Sequence, residues 1–468
     1  MSKIQERLNH FYDIDNLVTV EITMPPKEWE SLMACEPRGG ICNFDYVGGP
    51  RFDWYKATKV TFSGSRTPYL KATFKDVGII KKSYCGSFST TKPSVRLDFD
   101  RNLAAQGDAV EKLIGTKSLT LNNCKQDPAY IRQPLGYELL RLAGVPAPRC
   151  NFAKLIVNGT DMGAFVNLEQ YKKQFLKNNF EGNDDGNLYE LDAGDDLDRE
   201  KISMGKISFE GGVADDQKDL LLAADAIKKG GLAAAKKVID YNAFIKLYAM
   251  ETILKHRDGF TINTNNTYLY NDVKAVAEPT TDDVNLKFIP CGIDQILRDK
   301  KDFEIGGTAI LARLIRDDPD GIDDLLEVMR RFATIMFSRS HYESTLGPYV
   351  NRLAAVAASA GAQLADEINS IHVQLRLVRS GAYQHLGEYP AEELVFVARN
   401  SSEGDGSIPA SSEEYVPEPT TSTFGEDWFK TGYFTLKSKT SGCYVSTVGA
   451  TGTKEVSDKA QAGHFYLY

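Results

Sequence analysis

The chain has 468 residues, 42% hydrophobic and 25% charged, with a formal net charge of −9. That length exceeds one compact core and predicts two or three domains, and the acidic balance argues against nucleic acid as a partner held by bulk electrostatics. No apolar run reaches the roughly 20 residues of a membrane span, and the opening stretch MSKIQERLNHFYDIDNL lacks the apolar core of a secretory leader.

The expectation is therefore a protein that stays inside the cell, or a secreted or surface one whose leader has been removed. The seven cysteines are odd in number and contain no CxxC pair, so their spacing suggests neither a disulfide framework nor a zinc site.

In chain order, LVTVEITM (17–24) alternates as a strand, and PPKEWESLMA then reads as a helix opened by proline. ATKVTFSG, YLKATFKD, SVRLDFD and SLTLN read as further strands between 57 and 122. In DPAYIRQPLGYELLRLAG (127–144) Asp127 is placed to cap a helix with Pro128 in its first turn. Two apolar strands then flank Asn158-Gly159, a hairpin signal. The first 191 residues thus read as a sheet-rich half.

Past the acidic loop DAGDDLD (192–198), DDQKDLLLAADAIKKGG reads as a helix with a glycine stop. DYNAFIKLYAMETILKH reads as a second helix, capped by Asp240. The strands TYLYN and NLKFIP follow, and residues 321–386 carry helical periodicity. Residues 192–398 form a helical half. Residues 399–426 have the polar, proline-punctuated composition of a linker. Residues 427–468 return to short strands and resemble one repeat of a β-trefoil, a fold that closes with three. A glycan or protein ligand is the expectation for that segment.

One stretch carries chemistry. His256-Arg257-Asp258 with Asn263 spells H-R-D-x-x-x-x-N, the catalytic-loop pattern of protein kinases. Phosphoryl transfer asks for an aspartate near the attacking hydroxyl and for carboxylate and amide oxygens around a metal. Asp258 lies where a helix gives way to a loop, and Asn263 can offer an amide oxygen. Asp294 follows a strand and can supply a carboxylate. The pattern alone also fits a polar turn. G-x-G-x-x-G, V-A-I-K, D-F-G and A-P-E are all missing, which excludes an ordinary protein kinase.

From about 11 to 390 the chain resembles the spore coat protein H (CotH) family of atypical protein kinases. The resemblance rests on ordered blocks: FYDIDNLVTVEITMPPKEWESL, KPSVRLDFD, the long run from DPAYIRQPLGYELLRLAG to NLEQYKKQFL, DGNLYEL, RDGFTINTNNTYLY and FIPCGIDQIL. It implies an α+β, two-lobed kinase-like fold with a sheet-rich N-lobe and a helical C-lobe. The implied reaction moves the γ-phosphate of ATP, with Mg²⁺ or Mn²⁺, to Ser/Thr of a protein substrate, possibly the chain itself. By position Asp258 matches the loop aspartate, Asp294 the second aspartate of a W-D-x-D block, and Asn263 or Asn266 the amide metal ligand. Two departures stand out. Cys291-Gly292 replaces Trp-Asp, and Glu190 stands where the family often has lysine.

Lys92, Ser94, Arg96 and Asp98 alternate, so they would share one face of a strand, where Lys92 and Arg96 can meet phosphates or simply face solvent. Glu169 can hold such a cation or open the next helix at the surface. Arg132 can reach a phosphate or form a structural ion pair. RDDPDGIDDLLE places four residues at calcium-loop positions, but Arg316 at the first position and Pro319 favour an acid-rich helix N-terminus. Two further functions stay open: transfer of AMP by a reversed nucleotide, and a non-catalytic coat, adhesin or scaffold role.

Overall fold

The computed structural model describes residues 2–386, with breaks at 48, 67–71, 83, 181–182, 214–215, 274–275, 277, 299–304 and 365–366, and strands between 396 and 466. The first part comprises α1 (Lys3–Phe11), β1 (Val18–Thr23), α2 (Pro26–Ala34), β2 (Trp54–Gly64), β3 (Ala72–Lys82), β4 (Ser94–Asp98), α3 (Ala104–Ile114), β5 (Ser118–Asn122), α4 (Arg132–Leu142), β6 (Cys150–Val157) and β7 (Thr160–Leu168).

Alternation aims one side of each strand inward. Val18, Val20 and Ile22 of β1 are buried while the residues between them are not. Val95 and Leu97 do the same in β4. The strands close into a barrel in the order β1-β2-β3-β4-β5-β7-β6, sealed by parallel pairing of β1 with β6. Inside it Phe62 stacks on Phe74 at 5.6 Å and Phe99 meets both edge-on. Asn158 and Gly159 take φ of +49° and +82°, the left-handed pair that a two-residue hairpin turn needs.

The helix expected from 127 begins at Arg132 instead. Tyr130 sits at φ +62°, which no helix continues through. Asp127 accepts from the backbone N–H groups of Ala129 (3.1 Å) and Arg132 (2.7 Å). It therefore organises the loop before α4, and Pro128 lies in that loop.

The second part comprises α5 (Lys173–Asn179), β8 (Leu188–Leu191), α6 (Arg199–Ser203), β9 (Ser208–Gly211), α7 (Lys218–Val238), α8 (Tyr241–Ile253), α9 (Phe260–Asn263), β10 (Thr267–Asn271), β11 (Leu286–Pro290), α10 (Ile310–Asp317), α11 (Pro319–Ile335), α12 (Arg339–His341), α13 (Gly347–Ser359) and α14 (Glu367–Leu386). Its sheet runs β11-β10-β8-β9, so β8, at the end of the stretch read as the sheet-rich half, pairs into this second sheet. The glycine read as a helix stop is a kink: Gly231, at φ +59°, bends α7. Asp240 caps α8 through the Ala243 N–H. Asp318 caps α11 through the Gly321 N–H, which gives the acid-rich stretch a structural use.

Helix α4 joins the two parts. Its Leu135, Tyr137, Leu139 and Leu140 enter the core formed with α7, α8 and α10. At Gly136 a Cβ would lie 2.5 Å from the Ile293 side chain, so α4 packs directly on the segment that carries Asp294. Cys42 and Cys85 form a disulfide, a pairing that the spacing did not suggest.

At the C-terminal end β12 (Phe396–Val397), β13 (Glu414–Pro419), β14 (Tyr433–Ser438), β15 (Tyr444–Val448) and β16 (Gly452–Val456) form a sheet in that order, with β17 (Phe465–Tyr466) on β14. β13 lies within 399–426, the stretch read as a linker; the rest of that stretch is outside the described residues. The architecture is mixed α+β, as expected.

Candidate active site

A cavity of about 1120 Å³ opens between the outer face of the barrel and the second sheet. Inward-pointing Val95, Leu97, Leu119 and Leu121 fill the barrel, which turns their neighbours outward. Ser94, Thr120 and Asn122 line the cavity, together with Lys82 at the end of β3. The register places Lys82 opposite Ser94. Facing them are Glu190 of β8, Asp192, the loop from Arg257 to Asn266, Tyr268 of β10, and Cys291, Gly292 and Asp294 after β11. The disulfide holds a third wall: Phe44, Tyr84 and Cys85 line the cavity, and the Tyr84 hydroxyl donates to Asp192 at 2.5 Å.

The loop after α8 concentrates amides on one carboxylate. Asn263 and Asn265 donate to Asp258 Oδ1 at 3.2 and 3.0 Å. Asn266 donates to Oδ2 at 2.9 Å and to the Asp258 carbonyl at 2.8 Å. Bonds from donors to an ionised carboxylate are the strong ones, so Asp258 is held in one orientation at the cavity wall. The part Asn265 plays in the loop depends on the turn at Thr264 and Asn266, both at positive φ.

Asp294 is 8% exposed. Burial first, then the charge of Asp127, pushes its carboxyl up to about 7; Asp258 acts in the same direction and Arg298 against it. Asp258, Asn263, Asn266 and Asp294 thus border one cavity. Among the described residues no three of His, Cys, Asp and Glu cluster as metal ligands; the oxygen groups of these four residues at the cavity are the carboxylates of Asp258 and Asp294 and the amides of Asn263 and Asn266. A hard, all-oxygen set of this kind fits a Mg²⁺-type ion that keeps several waters.

Gly292 explains one departure from the family pattern. It sits at φ +57°, and a Cβ there would lie 2.1 Å from Asn266 Oδ1. The amide of Asn266 fills the space that a side chain at 292 would need.

The four residues expected to bind nucleotide are placed elsewhere. Lys92 precedes β4 across Pro93, so it does not share the strand's outer face. Its Nζ donates to the Ala164 carbonyl (2.6 Å) and to the Tyr130 hydroxyl (3.2 Å). Arg96 does face outward, but its guanidinium lies over the Trp54 ring at 4.9 Å. Arg132 is 1% exposed and pairs with Asp127 (2.9 Å) and Glu367 (2.5 Å). Glu169 holds Arg149, through its guanidinium (2.8 Å) and backbone N–H (2.9 Å), and neither Lys92 nor Arg96.

Two cations line the cavity, Arg257 in the loop and Lys82 on the barrel side, neither of them among the nucleotide-binding residues expected from the sequence. The alternation of Gly78, Ile80 and Lys82 along β3 was the available signal. Lys82 belongs to a charge group around Glu210. Burial and Glu190 push that carboxyl up, while Lys172, Lys82 and Arg96 act against them.

A family model described as CotH kinase protein matches residues 82–359. The inner spore coat protein H-like protein of Bacillus subtilis (strain 168) is 32% identical over 62 residues, which cover 13% of this chain and 20% of that protein. The crystal structure of a Helicobacter pylori proinflammatory kinase, CtkA, aligns over 65% of this chain and 94% of its own, at a TM-score of 0.29 and 11% identity.

Proposed function

We propose that this chain, which belongs to the CotH kinase family, transfers the γ-phosphate of ATP to serine or threonine hydroxyls of a protein substrate. One observation carries the reading: Asp258 and Asp294 border a single nucleotide-sized cavity with Lys82 on its barrel side. Phosphoryl transfer needs little beyond position and charge neutralisation, and this arrangement offers both.

In the reaction the acceptor hydroxyl oxygen forms a bond to the γ-phosphorus while the bond to the bridging oxygen breaks and ADP leaves. Asp258, oriented by three asparagine amides, takes the hydroxyl proton. Asp294 would hold Mg²⁺ or Mn²⁺ with an oxygen of Asn263 or Asn266; bound there, the ion would neutralise phosphate charge. Lys82 meets the phosphates from the barrel side, in the part first given to Lys92 and Arg96. We read the barrel as the core of an N-lobe and residues 192–398 as the bulk of a C-lobe, with 399–426 as a connection and 427–468 as a trefoil-like segment for a glycan or protein ligand.

The test is incubation with γ-labelled ATP and Mg²⁺ or Mn²⁺, comparing wild type with Asp258→Ala and Asp294→Ala. Label on an acceptor protein or on the chain, lost in both variants, is expected. Wild type that neither binds nucleotide nor transfers label defeats the proposal. Transfer from α-labelled ATP in its place would indicate AMP transfer.

A further inference from the structure

Glu251, in the last turn of α8, is 2% exposed and lies outside the cavity lining. Its carboxylate accepts from the backbone N–H of Phe260 at 3.1 Å, from the backbone N–H of Thr261 at 2.8 Å, and from the Thr261 hydroxyl. The same residue's carbonyl accepts from the His256 N–H at 2.8 Å. One glutamate therefore grips the catalytic loop on both sides of Asp258. Gly259 completes the fit: a Cβ there would lie 2.5 Å from Glu251 Oε1 and 2.8 Å from the His256 ring. This contact is a physical reason for the Asp-Gly pair.

We propose that Glu251 is a positioning residue for the transfer reaction, fixing through Phe260 and Thr261 the backbone on which Asp258 and Asn263 stand. The inference rests on the kinase reading above. A carboxylate suits the task because three donors converge on it. A glutamine there would turn its own N–H groups toward donors, leaving a buried N–H without an acceptor. Aspartate is one methylene short. Burial pushes the Glu251 carboxyl up to about 7 while these same donors act against it, so the bonds bear on the ionised form.

The test compares wild type, Glu251→Gln, Thr261→Val and Thr261→Ser for kcat, for Kd of a fluorescent ATP analogue, and for hydrogen exchange. Misplacing a reacting group by about 1 Å costs on the order of 100-fold. Glu251→Gln is therefore expected to lower kcat by roughly 10- to 100-fold, with Kd nearly unchanged. Thr261→Val should lower kcat by less, and Thr261→Ser should restore it. Exchange should rise in peptides spanning 256–264 while α8 and β10 keep their protection.

Wild-type kcat and protection in Glu251→Gln overturn the proposal. So does exchange rising equally through α8 and β10, which would make Glu251 a general fold element. Should Glu251→Gln fail to fold, the Thr261 pair decides by the same readouts. If wild type itself transfers no label, the kinase reading fails, and the exchange experiment still decides whether Glu251 fixes the loop.

Discussion

Restoring the family's aspartate at position 292 should harm this protein, although it adds the missing carboxylate. In Gly292→Asp the new Cβ would stand 2.1 Å from Asn266 Oδ1, at a residue with φ +57°. The left-handed backbone costs an L-residue roughly 1 kcal/mol. Relieving the clash means moving the Asn266 amide, which donates to the Asp258 carboxylate at 2.9 Å and to its carbonyl at 2.8 Å. A hydrogen bond to a charged group contributes about 1.5–3 kcal/mol, so the two effects together come to roughly 2.5–4 kcal/mol. Thermal melting and transfer of label from γ-labelled ATP measure the two consequences, with Gly292→Ala as the control that brings the clash without the charge. Both variants should melt lower and transfer at least tenfold more slowly, on the order of the loss from a shifted catalytic group. Gly292→Asp melting with wild type and matching its rate would refute the account. So would a slow Gly292→Ala beside a fast Gly292→Asp.

The two lysines make a matched pair. Lys82→Ala should raise the Kd for ATP by roughly 10- to 100-fold, the loss of a charge-assisted bond to phosphate. Lys92→Ala should lower the melting temperature and leave that Kd alone, because Lys92 bonds Ala164 and Tyr130; the reverse pattern would reinstate Lys92. Opening the Cys42–Cys85 bridge, with its sequence separation of 43, should cost about 4 kcal/mol by the chain-entropy relation. A dithiol reductant should therefore lower the melting temperature of wild type and do nothing further to Cys42→Ser. His341 is buried, and burial pushes its imidazole down to about 4. The unfolded chain, with a histidine pKa near 6.5, takes up the proton first, so this contribution is intact above about 6.5 and is lost as pH falls toward 4. Its full size is roughly 3 kcal/mol. Urea unfolding at neutral and mildly acidic pH should show a shallower acid loss in His341→Gln; an unchanged slope would count against it.

The local parts of the site were legible because they are encoded within a few residues. Alternation marked β1, β4, β5, β10 and β11, Asn158-Gly159 marked its hairpin, and Asp258 with its asparagines sits in one short loop. Lys92 misled for a local reason as well: Pro93 intervenes before Ser94, so counting alternate residues back from the strand crosses a break in it. Arg132 and Glu169 were illegible for a different reason. Each is buried only because α4 and β7 are packed between other elements, and hydropathy along one segment carries no record of its neighbours. The Cys42–Cys85 pair lay equally out of reach, since no short spacing announces it.

Lys82 shows where the boundary runs. Its outward direction follows from alternation within β3, but the fact that outward means toward Asp258 depends on a barrel closed by β1 on β6 and on α4 seating that barrel against the second sheet. Rate and affinity should therefore separate along the same line. Substitutions in the loop, at Asn263, Asn265 or Asn266, or at Gly292 packed against it, disturb the group proposed to take the proton and should act on kcat. Substitutions on the barrel face, with Lys82 foremost, disturb what is proposed to meet the phosphates and should act on nucleotide binding. Asp294 belongs to neither side alone, because it is carried by the segment after β11 and packed against α4. It is the residue through which a shift between the two halves would reach both parameters together.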